Sequence, residues 1–441
     1  MSPEQAFLML LFAAIGAVLA AGLSLLPALH VQNLVALLFS ATALATAAPG
    51  HLLAMLLLGM TVGYAVLSAV PAIFLAAPDD ASALVVLPGQ RYLLQGRGHE
   101  AFMLTATGSL AGIALLALLA PLAPRFLPML YAIIEPHLHW IVWAAIAYML
   151  LSEWPKGDDL APAGWRRWWS GWRSLIAGLA VFVLSGILGF ILLYRPGGSL
   201  RPGYLNLMPA FVGLFGVPWL LRSLIGRSQP RAQHVCESLD IPPITLLHGV
   251  AAGFVGGLFA AFFPFLTGGI GALLAGQATA QRDERSFLIS QGASKVVYYA
   301  GGFLLLFVPG LHATRGGMAS MLRPYWSPWT PQVYYTAAAA LLLSGVISFF
   351  LARPAARLTT AVLNRAGRRC LSWATLAMLA GFVAWAGGWQ GLLACIVAAG
   401  IGLFPPLWGC RRMNCLGVLL LPIGLELVGA GGATAGWLGL L

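Results

Sequence analysis

Long apolar runs recur from one end of the chain to the other, separated by short polar connections. Each is about the 20 residues that an α-helix needs to cross the hydrocarbon of a bilayer. They predict spans from about Gln5 to Leu26, His51 to Val70, Ala101 to Leu119, Leu130 to Leu151, Ser174 to Tyr194 and Tyr204 to Leu221. The second half continues with Thr245 to Phe263, a span opened by Arg282–Arg285, one from Val333 to Leu351, and further spans to the C-terminus. A membrane β-barrel would instead show short strands alternating with period two. The pattern specifies an all-α polytopic membrane protein of about 10–12 transmembrane helices. No basic residue precedes the first apolar run, which is read as a span and not as a cleaved signal peptide.

Two stretches interrupt this pattern. From Pro71 to Gly112, Asp79, Asp80, Arg91, Arg97, His99 and Glu100 crowd between apolar segments punctuated by Pro71, Pro78, Pro88 and Gly89. From Gly249 to Lys295, a span breaks at Pro264 and resumes as LTGGIGALLAGQ, which is too short for a comfortable crossing. Non-helical backbone at membrane depth is tolerated only where protein or a water-filled cavity satisfies it. Two re-entrant or broken-helix hairpins are therefore expected, and such breaks are where transporters hold cargo. Pro27, followed by His30, Gln32 and Asn33 in an apolar setting, marks either a third break or hairpin tip or a short loop at the membrane surface.

The halves resemble each other. GAVLAAGLSLLPALHVQNLVALL aligns with GFVGGLFAAFFPFLTGGIGALLA, setting Pro27 against Pro264 and His30 near Thr267, and RGHEAFMLTATGSLAG aligns with RDERSFLISQGASKVV. This divides a single integral membrane domain into a first repeat with additional spans, 1–235, and a second with C-terminal spans, 236–441. The simplest span count makes the repeats parallel; one re-entrant segment between Pro71 and Arg91 would invert them.

Composition agrees with the pattern. The 441 residues are 60% hydrophobic and 8% charged, against about 25% charged in soluble domains, so no soluble domain of any size fits. The net charge of +11 fits cytoplasmic loops better than nucleic-acid binding. The loop holding Arg353, Arg357, Arg365, Arg368 and Arg369 has no acidic residue among them and is expected on the cytoplasmic side of the cell (inner) membrane. Trp165, Trp168, Trp169 and Trp172, interleaved with Arg166, Arg167 and Arg173, read as an anchor to membrane lipids. The five cysteines form no CxxC pair or zinc pattern. Glu135, His137 and His139 read as an interfacial loop, because the two histidines, two residues apart, would face differently on a helix.

Chemistry then centres on charge at depth, which costs about 2.5–3.5 kcal/mol per residue on insertion scales and marks function by default. Lys295, set in SQGASKVVYY, is the foremost case; the bland alternative is an ion pair with Asp79, Asp80 or Glu100 that merely joins the halves. Arg91, Arg97 and Arg285 offer guanidinium forks for carboxylate or phosphate. His30, Asn33, Ser82, Thr267, Gln291 and Ser294 complete the candidate substrate-binding set. Asp79, Asp80 and Glu100 are candidates for coupling to Na+ or H+, one of the two aspartates doubling as a helix cap. There is no HExxH, GxSxG or GxxxxGK[ST] motif, so the chain reads as a non-enzyme that moves an anion, without metal or cofactor. Polyprenyl phosphate translocation is the alternative, and a homodimer is compatible with the sequence.

The block SAVPAIFLAAPDDASALVVLPGQRYLLQGRGHEAFMLTATGSLAG, with Pro78 through Leu87 followed by Gln95, Gly96, Arg97, Gly98, Glu100 and Ala101, resembles the large permease subunits of tripartite tricarboxylate transporters. RDERSFLISQGAS is similar to the shorter, archaeal-type branch of that group. The resemblance implies a secondary transporter of an organic carboxylate driven by a proton or sodium gradient, often with an external binding protein and a small membrane subunit. The first hairpin reads SLLPALHVQN where the family has a glycine-rich proline loop, and the chain is short for a large subunit. These departures leave citrate, the periplasmic binding protein and the small subunit unsupported by the sequence.

Overall fold

The computed structural model describes residues 1–26, 49–78, 81–82, 84–154, 164–194, 203–226, 231–263, 267–281, 283–311, 319, 322 and 330–440. The all-α reading holds: no strand occurs among these residues. Among these residues seven helical segments are long and apolar enough to cross a membrane, and two of them, Gly98–Leu151 with 54 residues and Pro331–Trp408 with 78, exceed a single crossing. At about 20 residues per crossing the first has room for two whole crossings and the second for three, which brings the described residues to about ten. Arg412–Leu427 and Gly431–Trp437 form a further pair bent by 117°.

The 78-residue segment is broken by glycines. Gly367 and Gly388 have φ of +73° and +59°, the left-handed region that side chains avoid. A Cβ on Gly391 would stand 3.2 Å from the Val383 carbonyl oxygen, so the chain doubles back at Gly388.

The chain forms two compact units, Met1–Ala132 with Ser223–Thr375, and Ile133–Arg222 with Leu376–Leu441. Each draws on both halves of the sequence. The first contains α1 (Pro3–Leu23), α2 (Gly50–Leu67), α3 (Ala69–Phe74), α4 (Val86–Leu94) and α5 (Gly98–Leu119). It also contains α6 (Pro243–Phe262), α7 (Gly268–Ala278) and α8 (Glu284–Leu304). Helix α2 is strongly apolar and every residue from Leu52 to Leu67 is buried, as expected of a helix surrounded by protein.

Close glycine contacts give the helix directions. Cβ atoms on Gly249, Gly253 and Gly257 of α6 would meet the carbonyls of Ser286, Ser290 and Ser294 of α8. That constant offset means α6 and α8 run the same way, so α7 must carry the chain back between them. It does: Gly256 faces Gly271, and His248 Nε2 lies 3.1 Å from the Thr279 carbonyl oxygen near the start of α6. With 11 residues, α7 is about 16 Å long, about half the hydrocarbon thickness. The resumed piece after Pro264 is thus the returning arm of a re-entrant hairpin. Helices α1 and α2 also run the same way, Gly16 meeting Leu56 and Gly63 meeting Ala17 and Ala20. By contrast, α2 opposes α8, because Tyr64 meets Tyr299 while Ser68, one turn later, meets Lys295, one turn earlier.

In the second unit, the buried Glu153 carboxylate accepts from the Arg411 backbone N–H at 2.6 Å and from Asn414 Nδ2 at 3.2 Å. The Arg412 guanidinium lies 4.2 Å from the Trp219 ring centre and donates to the Phe215 carbonyl oxygen at 3.3 Å. There the helix widens to a π turn over Val212–Gly216. Glu135 and His137 are exposed in a short turn, in keeping with an interfacial loop. Trp165 and Trp168 are exposed and stack at 4.7 Å.

Candidate functional site

The two interrupted stretches meet inside the first unit. Helix α7 begins at Thr267, whose backbone is extended (φ −90°, ψ 157°) and whose side chain caps nothing. A helix start leaves backbone N–H groups without intrahelical acceptors, carrying the positive end of the helix dipole. Two glycines let other backbone approach it closely. A Cβ on Gly268 would stand 3.0 Å from Lys295 Cα, and one on Gly269 would stand 2.7 Å from the Ala81 carbonyl oxygen. Ala81 and Ser82 belong to the loop after α3, are buried, and follow Ala76, a non-glycine residue held at φ +54°. Left-handed backbone at a buried alanine is strained, and strain of this kind collects at ligand sites.

Helix α8 supplies the side chains. Lys295 is 2% exposed. Its ammonium donates to Ser68 Oγ at 2.7 Å and lies 5.4 Å from the Tyr64 ring centre, while the Ser68 hydroxyl donates to the Tyr64 carbonyl oxygen at 2.5 Å. Ser294, one residue before it, donates to the Gly268 carbonyl oxygen at 2.7 Å, tying α8 to the first turn of α7. Gln291, one turn earlier, is 1% exposed, and neither of its side-chain polar atoms has a hydrogen-bond partner among the described residues. Neither has Thr267 Oγ1, also buried. Unsatisfied buried amide and hydroxyl groups are costly and rare in folded proteins. Here they stand beside a buried ammonium and an uncapped helix start, an arrangement that suits an anion.

Of the residues picked out in the sequence, Ser82, Thr267, Gln291, Ser294 and Lys295 therefore surround one region. His30, Asn33, Asp79 and Asp80 lie outside the described residues.

Arg91, near the end of α4, and Arg97, Glu100 and Arg285, at the starts of α5 and α8, form a different group. Arg97 holds Glu100 through two hydrogen bonds of 2.7 Å, and Arg285 reaches the same carboxylate at 3.3 Å. Arg91, mostly exposed, pairs with Glu284. The hydrogen-bonded Glu100 carboxylate raises the Arg97 pKa above its ordinary value. Asp283 caps α8 by accepting from the Arg285 and Ser286 N–H groups. Ten residues along α8 separate Arg285 from Lys295, roughly 15 Å at 1.5 Å per residue. The expected joint grip of Lys295 with Arg91 or Arg97 is thus not the arrangement found, because each of these arginines already has a carboxylate partner in the other group. Glu100 bridges Arg97 and Arg285.

Sequence reasoning missed Tyr64 and Ser68, which lie just before the interrupted stretch; their signal was a tyrosine and a serine in the otherwise apolar GYAVLSAVP. It also missed Gln233, buried and bonded to the Gly98 N–H, the Leu93 carbonyl and the Arg231 carbonyl. This glutamine straps the α4–α5 junction. No trio of metal-ligating side chains clusters among the described residues.

The model of the tripartite tricarboxylate transporter TctA family matches residues 10–417. An uncharacterized protein of Methanocaldococcus jannaschii is 25% identical over 324 residues, covering 71% of this chain and 72% of that protein. No solved structure matches the chain. With a family match over nearly its whole length and a polytopic helical fold, the chain belongs to the tripartite tricarboxylate transporter TctA family, a family of membrane transporters.

Proposed function

We propose that the chain is a secondary active transporter in the cell (inner) membrane that carries an organic carboxylate by alternating access, with the Lys295 region as its binding site. The observation that carries this reading is the buried Lys295 beside Gln291 and Thr267, whose polar atoms lack partners among the described residues, at the uncapped start of α7. In this mechanism the ammonium and the first N–H groups of α7 neutralise the carboxylate, and Thr267 and Gln291 donate to its oxygens. Ser68 and Tyr64 hold Lys295 in place while the cargo is absent.

Asp79 and Asp80 immediately precede Ala81, whose carbonyl faces Gly269. They take up the coupling Na+ or H+. Arg91, Arg97, Arg285 and Glu100 act as a tie between the α4–α5 junction and the start of α8. The repeats are inverted. The same-way pair α1 and α2 opposes the same-way pair α6 and α8, and Gly16 against the Leu56 carbonyl parallels Gly253 against the Ser290 carbonyl. Inverted repeats with interrupted helices at their junction suit alternating access around a fixed site.

Members of this family usually work with a binding protein and small subunits. The family match speaks for carboxylates over isoprenoid phosphates. The test is uptake of labelled mono-, di- and tricarboxylates into proteoliposomes under an imposed sodium or pH gradient. Gradient-dependent uptake of one carboxylate class supports the reading; no uptake of any carboxylate, with binding of polyprenyl phosphate instead, overturns it.

A further inference from the structure

The two basic connections of the first unit, around Arg231 and around Arg365–Arg369, converge on a cavity of about 450 Å³, within the range of roughly 300–1,000 Å³ typical of small-molecule sites. Arg231, Arg368 and Arg369 line it, together with Ser223, Asn364 and Cys370, and no acidic residue is among its described lining. Its walls are pinned. Asn364 accepts from the Gln233 N–H at 3.0 Å and donates back to the Gln233 carbonyl at 3.1 Å, and the Ser223 and Ser372 hydroxyls bond at 3.1 Å.

Arg368 adds an unsatisfied donor to the cavity wall. One terminal nitrogen donates to Gln90 Oε1 at 2.8 Å, but its Nε is buried with no partner among the described residues. Three guanidiniums around one cavity repel each other, and a buried guanidinium N–H without an acceptor costs more than a neutral one. A singly charged carboxylate would offset one of the three. A phosphate monoester carries a charge of about −1.5 to −2 and three strong acceptor oxygens, and guanidinium forks match its geometry.

We propose that this cavity binds a phosphate-bearing anion, either the monoester head of an anionic lipid or free phosphate, at a site separate from the Lys295 region. The two connections carry the Lys/Arg excess of cytoplasmic loops, which makes the cytoplasmic leaflet or the cytoplasm the source.

Cys370 is an exposed thiol on the cavity lining and reports occupancy without any transport assay. The experiment follows maleimide modification of Cys370, read by peptide mass spectrometry, on the purified full chain. Detergent samples receive inorganic phosphate, citrate or chloride at matched ionic strength; nanodisc samples contain phosphatidylcholine with or without phosphatidic acid. A several-fold slowing by phosphate or by phosphatidic acid, lost in the Arg231→Gln/Arg369→Gln double variant, supports the site. Protection by phosphatidic acid in the absence of free phosphate identifies the lipid as the source, and protection by phosphate alone identifies the soluble anion. Both replaced arginines are exposed, and an unchanged melting temperature checks that the double variant folds. A loss of protection accompanied by a lowered melting temperature passes the decision to Arg369→Gln alone. Equal protection by citrate or chloride, no protection by either phosphate source, or protection that survives the arginine replacements overturns the proposal.

Discussion

At the scale of single residues, two groups of charges behave differently because their surroundings differ. Lys295 is buried and donates to Ser68, and a hydrogen bond to a charged group is worth about 1.5–3 kcal/mol. Ser68→Ala is expected to destabilise the protein by about that amount, read as a lowered unfolding free energy in detergent; an unchanged stability would mean the contact is idle. Arg97 is partly exposed and pairs three residues along its own helix start, where ion pairs contribute about 0.2–1 kcal/mol. Arg97→Gln is accordingly expected to leave carboxylate uptake within about threefold of the parent. A larger loss would return Arg97 to the cargo. The intramembrane lysine was legible in the sequence, since a lone charge inside an apolar span is conspicuous. The partners of Arg91 and Arg285 were not, because Glu284 lies far from Arg91 in sequence and Glu100 far from Arg285, and only the packing of α4 and α5 beside α8 brings them near.

Among the elements, the hairpin of α6 and α7 was legible from Pro264 and from the short glycine-rich piece after it. Its direction was not, because an 11-residue helix reads the same whether it crosses thinly or returns; the contacts of Gly256 with Gly271 and of His248 with Thr279 decide it. The alignment of the halves sets α8 against α5; the inverted repeat proposed above sets it against α2, which runs beside α1 as α8 runs beside α6. Similar small-residue spacing on α5 and α2 hides that distinction in the sequence. Close approach also sorts glycines that look alike. On Gly292 a Cβ would collide with the Thr105 backbone, whereas on Gly302 the nearest atom would be 3.9 Å away. Gly292→Ala is expected to destabilise the protein by about 1–3 kcal/mol through overpacking. Gly302→Ala is expected to be neutral or stabilising by up to about 1 kcal/mol through helix propensity. Melting curves of the two variants check this, and equal effects would contradict the α5–α8 contact.

For the molecule as a whole, the class was plain from hydropathy, while the discontinuous composition of the two units was not. Periodicity tells which face of a helix is apolar but not which distant helix covers it. The proposed alternating access makes a demand at this scale. In Gln291→Cys the new thiol, followed by peptide mass spectrometry, is expected to react with a membrane-impermeant reagent from either side of the bilayer, and bound carboxylate should slow both reactions. Reaction from one side only, under all conditions, would describe a pocket and not a pathway.

The central claim is that Lys295 anchors a carboxylate, and the most direct test is ligand-dependent thermal stabilisation of the purified chain and of its Lys295→Gln variant against a panel of carboxylates. Binding to the folded state raises stability with ligand concentration by mass action. The account predicts a concentration-dependent upward shift for at least one carboxylate in the parent, absent in Lys295→Gln and retained in Arg97→Gln. A shift of the same size in Lys295→Gln would contradict it.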